Sequence, residues 1–150
     1  MNRSAIPSVY VVYVVVRDGD RFLFVEEHNR LFNLPAGRAE PGEALADAAR
    51  REALEESGVA VTLIGLLRVA HGPRTDFTRV RVFFLAEPAG DPSPRTTWNG
   101  DTYGGVWLTL AEARARPQRA PEALAACEAV AAGAPVYPLG VLTLEDAPWG

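Results

Sequence analysis

Apolar residues cluster in runs whose period changes along the chain. Residues 9–17 are valine and tyrosine ending in Arg17, a β-branched and aromatic run that predicts a strand buried on both faces. Asp18-Gly19 is a hairpin turn signal, because glycine takes positive φ at no steric cost. Residues 21–26 are the returning strand. Residues 31–34 form a short apolar piece that stops at Pro35, and Pro41-Gly42 marks a turn. Residues 43–57 then contain no glycine, proline or β-branched residue and are rich in alanine, which predicts a helix closed by Gly58. Residues 59–70 and 80–86 read as strands, and 106–108 as a short one. Between them, 87–105 is rich in Pro, Gly, Ser, Thr and Asp, a long loop of the kind that is usually functional. Thr109 with Glu112 spells a capping box, and Pro121 opens a last helix to about residue 132. Strands on both sides of a central helix, with further helices late, predict a layered α/β fold.

The central helix carries an anomaly. At 100° per residue, Glu52 and Glu56 share a face with Leu45, Ala48 and Ala49, and Glu55 stands about 60° to one side. A like-charged pair four apart costs about 0.2–0.5 kcal/mol on an isolated helix. Glu55 and Glu56 also occupy the last turn, where the helix dipole is already negative. A bound divalent cation reverses these penalties, since Mg²⁺ takes carboxylate oxygens together with substrate phosphates.

Those acids sit in the pattern Gly37-x5-Glu43-x7-Arg51-Glu52-x2-Glu55-Glu56-x-Gly58-Val59. It resembles the Nudix box, the signature of the Nudix hydrolase family (MutT-like), G-x5-E-x7-R-E-U-x-E-E-x-G-U with U a bulky aliphatic. At ordinary residue usage, a chance match of the fixed positions is on the order of 10⁻⁸ to 10⁻⁹ per start. Ala53 departs from the pattern, where the family prefers a larger aliphatic residue. The resemblance covers roughly residues 9–132, and the upstream hairpin, the Asn33-Leu34-Pro35-Ala36-Gly37 approach and Trp107-Leu108 share it.

The resemblance implies an α/β/α sandwich with a mixed β-sheet and a loop–helix–loop catalytic motif. The expected organisation is a single domain over 1–133; residues 134–150, outside the resemblance, carry three prolines and no period and read as a tail packed on that domain or on a neighbouring subunit. The resemblance also implies Mg²⁺, or Mn²⁺, held by Glu52, Glu55 and Glu56 with the carbonyl of Gly37. Arg51 is expected to brace Glu52 by a charge-assisted hydrogen bond. Glu43 lies about 180° from Glu52 on an ideal helix, so it acts from the first turn, through water, or simply as an acid at a helix start. The implied reaction is attack of water on a nucleoside diphosphate derivative, with Glu52, Glu56 or Asp101 taking the proton. Asp101 has a plain turn-forming role as its alternative. Glu87, closing a strand, is a further acid.

Arg74, Arg79 and Arg81, with His71, follow the box and suit phosphate contact; alternation at 79–82 equally describes a strand with one solvated face. Phe32, Trp98 and Tyr103 are candidates to stack on a base, or else core and loop anchors, and Gln118 is a candidate base-edge reader. Chain length favours a nucleoside triphosphate or an oxidised nucleotide, while Pro73, about fifteen residues past the box, is a feature of the ADP-ribose type. The alternative is a Nudix-like module that senses a nucleotide without turnover; such modules tend to lose box acids, and here all are present.

Composition adds limits. The formal net charge is -4, and every basic residue is arginine, so bulk nucleic-acid binding is not expected. The longest apolar run is too short to span a bilayer, and no signal-peptide cleavage site follows it. Cys127 alone makes no internal disulfide and reads as a small core residue in a reducing compartment. The expectation is a soluble cytoplasmic protein, with a homodimer as one arrangement; a further alternative is an interaction scaffold whose tail, including Tyr137 and Trp149, binds a partner.

Overall fold

The computed structural model describes residues 5–146. Strands β1 (Ser8–Asp18) and β2 (Arg21–Glu27) form the N-terminal hairpin, with Gly19 at φ 63° in its turn. Two short strands follow, β3 (Phe32–Asn33) and β4 (Ala36–Arg38), then helix α1 (Leu45–Ser57). The long strands β5 (Val61–Pro73) and β6 (Thr78–Pro88) pair antiparallel, and β7 (Thr102–Thr109) leads into α2 (Leu110–Arg114) and α3 (Pro121–Ala131).

The sheet is mixed. β1 runs parallel to β6 from Ser8↔Thr78 to Val16↔Ala86, and its other neighbours β2 and β4 are antiparallel. β2 carries β3 and β7, and β5 stands at the far edge. β1 is covered on both faces from Val14 to Val16, whereas its first half, with Tyr10 exposed and Val9, Val11 and Tyr13 lining a cleft, is less buried than its unbroken apolar run predicts. Val12, Val14 and Val16 pack with Ala48, Ala49 and Ala53 of α1, while Val15 packs with Phe22, Phe24, Leu108, Ala123 and Cys127 under α2 and α3. One helix on one face and two on the other make the α/β sandwich. The alanines of α1 let its backbone lie close to the valines, so small residues set the depth at which the acids of the helix sit.

Four boundaries differ from the sequence expectation. The helix starts at Leu45, with Glu43 in the turn ahead of it. β5 and β6 both run past the predicted ends and meet in a tight turn at Arg74–Phe77, where Arg74 N donates to Phe77 O at 3.0 Å. β7 starts at Thr102, so the irregular stretch is 89–101. Its glycine-rich start reads as loop in sequence, but Glu27↔Thr102 and Val25↔Gly105 pairing to β2 decides it. β4 was hidden because three residues beside a proline carry no period, and Val12↔Gly37 pairing creates it. The Thr109–Glu112 capping box forms in both directions, at 3.2 and 3.1 Å. In the tail, Tyr137 and Leu66 exchange two backbone hydrogen bonds of 2.8 Å each, and residues 139–141 make a 3-10 turn. Trp149 lies outside the described residues.

Candidate active site

Helix α1 places its acids where Gly37 of β4 meets the end of β2. Arg51 is the hub. Its guanidinium grips Glu43 bidentately, Nε to Oε2 at 2.7 Å and Nη2 to Oε1 at 2.9 Å. Nη1 donates to Glu52 Oε1 at 2.9 Å and to Glu55 Oε2 at 3.2 Å, and Nη2 reaches the carbonyl of Arg38 at 3.1 Å. This resolves the position of Glu43. It stands outside the acid face of α1 and holds Arg51, which holds Glu52. The fork geometry of arginine suits that relay, and a lysine supplies no such fork. The Arg51 hydrogen bonds, with the N–H of Glu40, hold the Glu43 carboxyl down at about 2.

Glu52 and Glu56 face the other way electrically. Burial raises the proton affinity of Glu52 above the usual carboxylate range, against the opposing pull of Arg51. Glu56 is 7% exposed and accepts the N–H of Ala36 at 2.6 Å. Burial pushes its carboxyl up to about 8, and the charges of Glu52, Asp101 and Glu27 push the same way. Glu55 is the exposed member. Asp101 sits exposed in the bend before β7, with its N–H on Asn99 Oδ1 at 2.9 Å. So the fold draws Glu52, Glu56 and Asp101 into mutual repulsion, with Glu55 at the rim.

The donor set suits a hard divalent cation: the oxygens are carboxylate oxygens, and Glu52 and Glu56 are held at raised proton affinity. Gly37 fits that reading, because a Cβ there collides with the Glu52 carboxylate. Among the described residues, no three acid, histidine or cysteine side chains close around a cation by themselves.

A cleft of about 430 Å³ opens beside Ala36 and Gly37, on the opposite side of the sheet from α1. Arg79 and Arg81 line it, together with Tyr13, Phe77, Glu27 and Arg119. Arg81 pairs with Glu122 at 3.3 Å and lies 6.0 Å from the Tyr13 ring. Two other expected substrate contacts are not brought there. Arg74 lies in the β5–β6 turn with its guanidinium 6.0 Å from the Phe77 ring. Phe32 is buried in the second core beneath Arg116, because β3 turns it inward opposite Glu26. Gln118 spends its amide on the carbonyl of Ala113 at 3.0 Å. Trp98 and Tyr103 meet each other at 4.9 Å, and Arg30 caps the Tyr103 ring at 3.6 Å, away from the cleft. Glu87 pairs across from Thr62 at the other end of the sheet.

Three residues escaped the sequence reading. Glu27 and Arg119, paired at 2.7 Å, come from a strand end and an inter-helix turn, where no motif marks them. Arg95, in the irregular stretch, donates to the carbonyls of Glu55 at 3.1 Å and Glu56 at 2.9 Å, and to Thr102 O and Oγ1 at 3.1 and 3.0 Å. It supplies the positive charge that the acidic end of α1 lacks in its own sequence.

The NUDIX domain model matches residues 7–127. The chain belongs to the Nudix family. Among curated Nudix relatives, the mouse 8-oxo-dGDP phosphatase NUDT18 is 37% identical over 86 residues, covering 54% of this chain and 26% of that protein. The chain thus spans about a quarter of that relative's length. Phosphatase NudJ of Escherichia coli is 32% identical over 109 residues, which is 71% of each chain. Among solved structures, a NUDIX hydrolase from Nitrosomonas europaea superposes with a TM-score of 0.78 at 29% identity, covering 94% of this chain and 99% of the other. An ADP-ribose pyrophosphatase from Streptococcus suis gives a TM-score of 0.67 at 21% identity, covering 86% and 95%, and shares the fold.

Proposed function

We propose that this Nudix chain is a Mg²⁺-dependent pyrophosphohydrolase, with Mn²⁺ as a substitute ion, that cleaves the diphosphate linkage of a nucleoside di- or triphosphate or a nucleoside diphosphate derivative. The observation that carries the reading is the Arg51 web, which fixes Glu43, Glu52 and Glu55 in one cage while Glu56 lies buried against the N–H of Ala36, and Ala36 and Gly37 also border an arginine-lined cleft on the other side of the sheet. Glu52, Glu55, Glu56 and the Gly37 carbonyl would hold the ion, which supplies charge neutralisation at phosphate oxygens and a more acidic water.

The chain's own residues do the rest. Arg79 and Arg81 bind phosphate oxygens and set the anhydride in line with the acid cage. Glu52 takes the proton of the attacking water. Its proton affinity is raised by burial, and Arg51 fixes its orientation. Glu56 is held by the N–H of Ala36, and the exposed Glu55 and Asp101 tune Glu52 through charge. Arg51 and Glu43 position that acid and touch no substrate.

Similarity to NUDT18, an 8-oxo-dGDP phosphatase, supports an oxidised nucleotide as substrate, and similarity to NudJ supports a phosphatase. The buried, unpaired Cys127 fits a reducing cytoplasm. Exposed Val69, Tyr137, Val141 and Leu144 offer surface for a homodimer, which sedimentation reads directly. No described helix is long and apolar enough to cross a membrane.

The test is phosphate release with Mg²⁺ from canonical and 8-oxo nucleoside di- and triphosphates, ADP-ribose and nucleotide sugars, with Glu56→Gln as the contamination control. A preferred substrate lost by orders of magnitude in Glu56→Gln and in Glu55→Gln, both folded, is the expected result. Silence across the panel, with ligand-induced thermal shifts retained, replaces the hydrolase by a sensing module.

A further inference from the structure

Glu27 lies outside the Arg51 web, though its charge acts on Glu56, and the fold invests in it. It ends β2 after a register shift between Val25 and Glu27, the kind of irregularity that re-aims a side chain. It lines the cleft, and its side chain is 14% exposed. One oxygen, Oε2, accepts from Arg119 Nη1 at 2.7 Å. The other, Oε1, is shut away from solvent and accepts no hydrogen bond among the described residues. A carboxylate has acceptor capacity for about four bonds, and leaving that capacity empty in a desolvated place costs free energy. The partner on Oε2 is the movable one. The Arg119 side chain is 60% exposed, and its backbone is anchored by a 2.9 Å bond to the carbonyl of Phe32. The guanidinium can therefore swing while the carboxylate stays in the wall.

The rest of the cleft says what kind of molecule meets that carboxylate. Arg79 makes no ion pair among the described residues, and with Arg81 it supplies the positive end for phosphate. Tyr13 and Phe77 supply aromatic wall. A ligand with its phosphates at the acid cage therefore brings an aromatic, polar-edged end against Glu27. A carboxylate is acceptor-only: it attracts an N–H edge and repels a carbonyl edge at the same place.

We propose that Glu27 is a specificity-determining residue of the cleft, accepting a hydrogen bond from an exocyclic amino group on the base of a nucleoside diphosphate, with Arg119 as the side chain displaced when the base enters. The inference rests on the proposed nucleotide reading of the cleft but not on turnover. Amino bases are favoured over bases that carry a carbonyl at the matching position or lack the amino group.

The experiment is calorimetric affinity, with Mg²⁺, for the methylene-bridged analogues of ADP, CDP, GDP, IDP and UDP, which bind without being cleaved. The expected result is that the amino member of at least one matched pair (ADP over IDP, GDP over IDP, or CDP over UDP) binds about tenfold or more tightly. Glu27→Gln, whose amide can donate to a carbonyl, then levels or inverts that ratio. Arg119→Ala, which uncovers the carboxylate without removing it, keeps the preference and guards against a Glu27 variant that fails to fold. Equal affinities within every pair overturn the proposal. So does an amino preference that survives Glu27→Gln in folded protein, or a Glu27→Gln effect that appears only as weaker Mg²⁺ dependence. Turnover of the ordinary diphosphates is read separately: its absence alongside an intact amino preference overturns the hydrolase reading and supports this one.

Discussion

At the scale of single residues, the acid cage sets two opposed pH dependences. Glu56 is the larger. Its folded pKa of about 8 lies above the ordinary glutamate value of 4.5, so the folded state holds a proton that the unfolded chain releases. Without a divalent cation, its contribution is full below about pH 4.5 and is lost as pH rises through about 8, a loss of a few kcal/mol. Glu43 works in the other sense. Its folded pKa of about 2 lies below 4.5, so its contribution is present above 4.5 and lost as pH falls towards 2. Chelated protein is therefore expected to be most stable near pH 4.5, with Tm falling on both sides in a scan across pH. Glu56→Gln removes the upper slope and is expected to be more stable than the natural chain at about pH 8 in chelator while losing turnover. Added Mg²⁺ should raise Tm more at about pH 8 than at about pH 6, because the ion competes with the proton for the same oxygens. A flat Tm profile between pH 5 and 8 in chelator would refute the buried-carboxylate account.

At the scale of elements, helix α1 shows what a sequence discloses and what it withholds. Its existence, its Gly58 cap at φ 80° and the shared face of Glu52 and Glu56 were legible because composition and 3.6-residue spacing are local. Its start was misplaced because Glu43 is a good helix former in sequence, but its carboxylate and backbone are engaged in the turn with Arg51 and Glu40. The penalty of acids in the last turn was legible too; its structural remedy was not. Arg95 comes from the irregular stretch and ties the carbonyls of Glu55 and Glu56 to Thr102, while Thr102 Oγ1 donates to Glu56 O at 2.6 Å. Gly58 and Gly104 lie against the same arginine, and a Cβ at Gly104 would collide with its carbonyl. No local rule links residue 95 to residue 55. Arg95→Met is expected to cost about 2–3 kcal/mol and roughly 5–8 °C in Tm. It should also lower turnover, since it loosens the segment carrying Asp101, which then holds the end of α1 through Asn99 Nδ2 on Glu55 O and Thr102 Oγ1 on Glu56 O. Arg114→Met, which removes an exposed ion pair with Glu128, serves as the comparison and should cost under about 1 kcal/mol.

At the scale of the whole molecule, the sheet has one edge that matters. β5 is the outermost strand of the β1–β6–β5 side, and an uncovered edge invites pairing with another chain. The segment after α3 lies on that edge. Tyr137 bridges Leu66, and a Cβ at Gly65 would meet Tyr137 O at 2.5 Å and Val136 Cγ1 at 2.6 Å, so the contact is close enough to require glycine. Leu139 and Leu142 pack on the core beside Leu63 and Leu66. None of residues 134–146 lines the cleft or bonds the carboxylates. A chain stopped after Gly133 thus keeps its site and loses its edge cover. Exposing Leu66 and removing two leucines costs about 1.5–3 kcal/mol for each buried side chain affected. The expected outcome is a Tm lowered by roughly 5–15 °C, self-association visible by light scattering, and a turnover per folded molecule close to that of the full chain at low temperature. Unchanged Tm and a monodisperse shortened chain would instead make 1–133 the self-sufficient domain and leave 134–150 free to serve another surface.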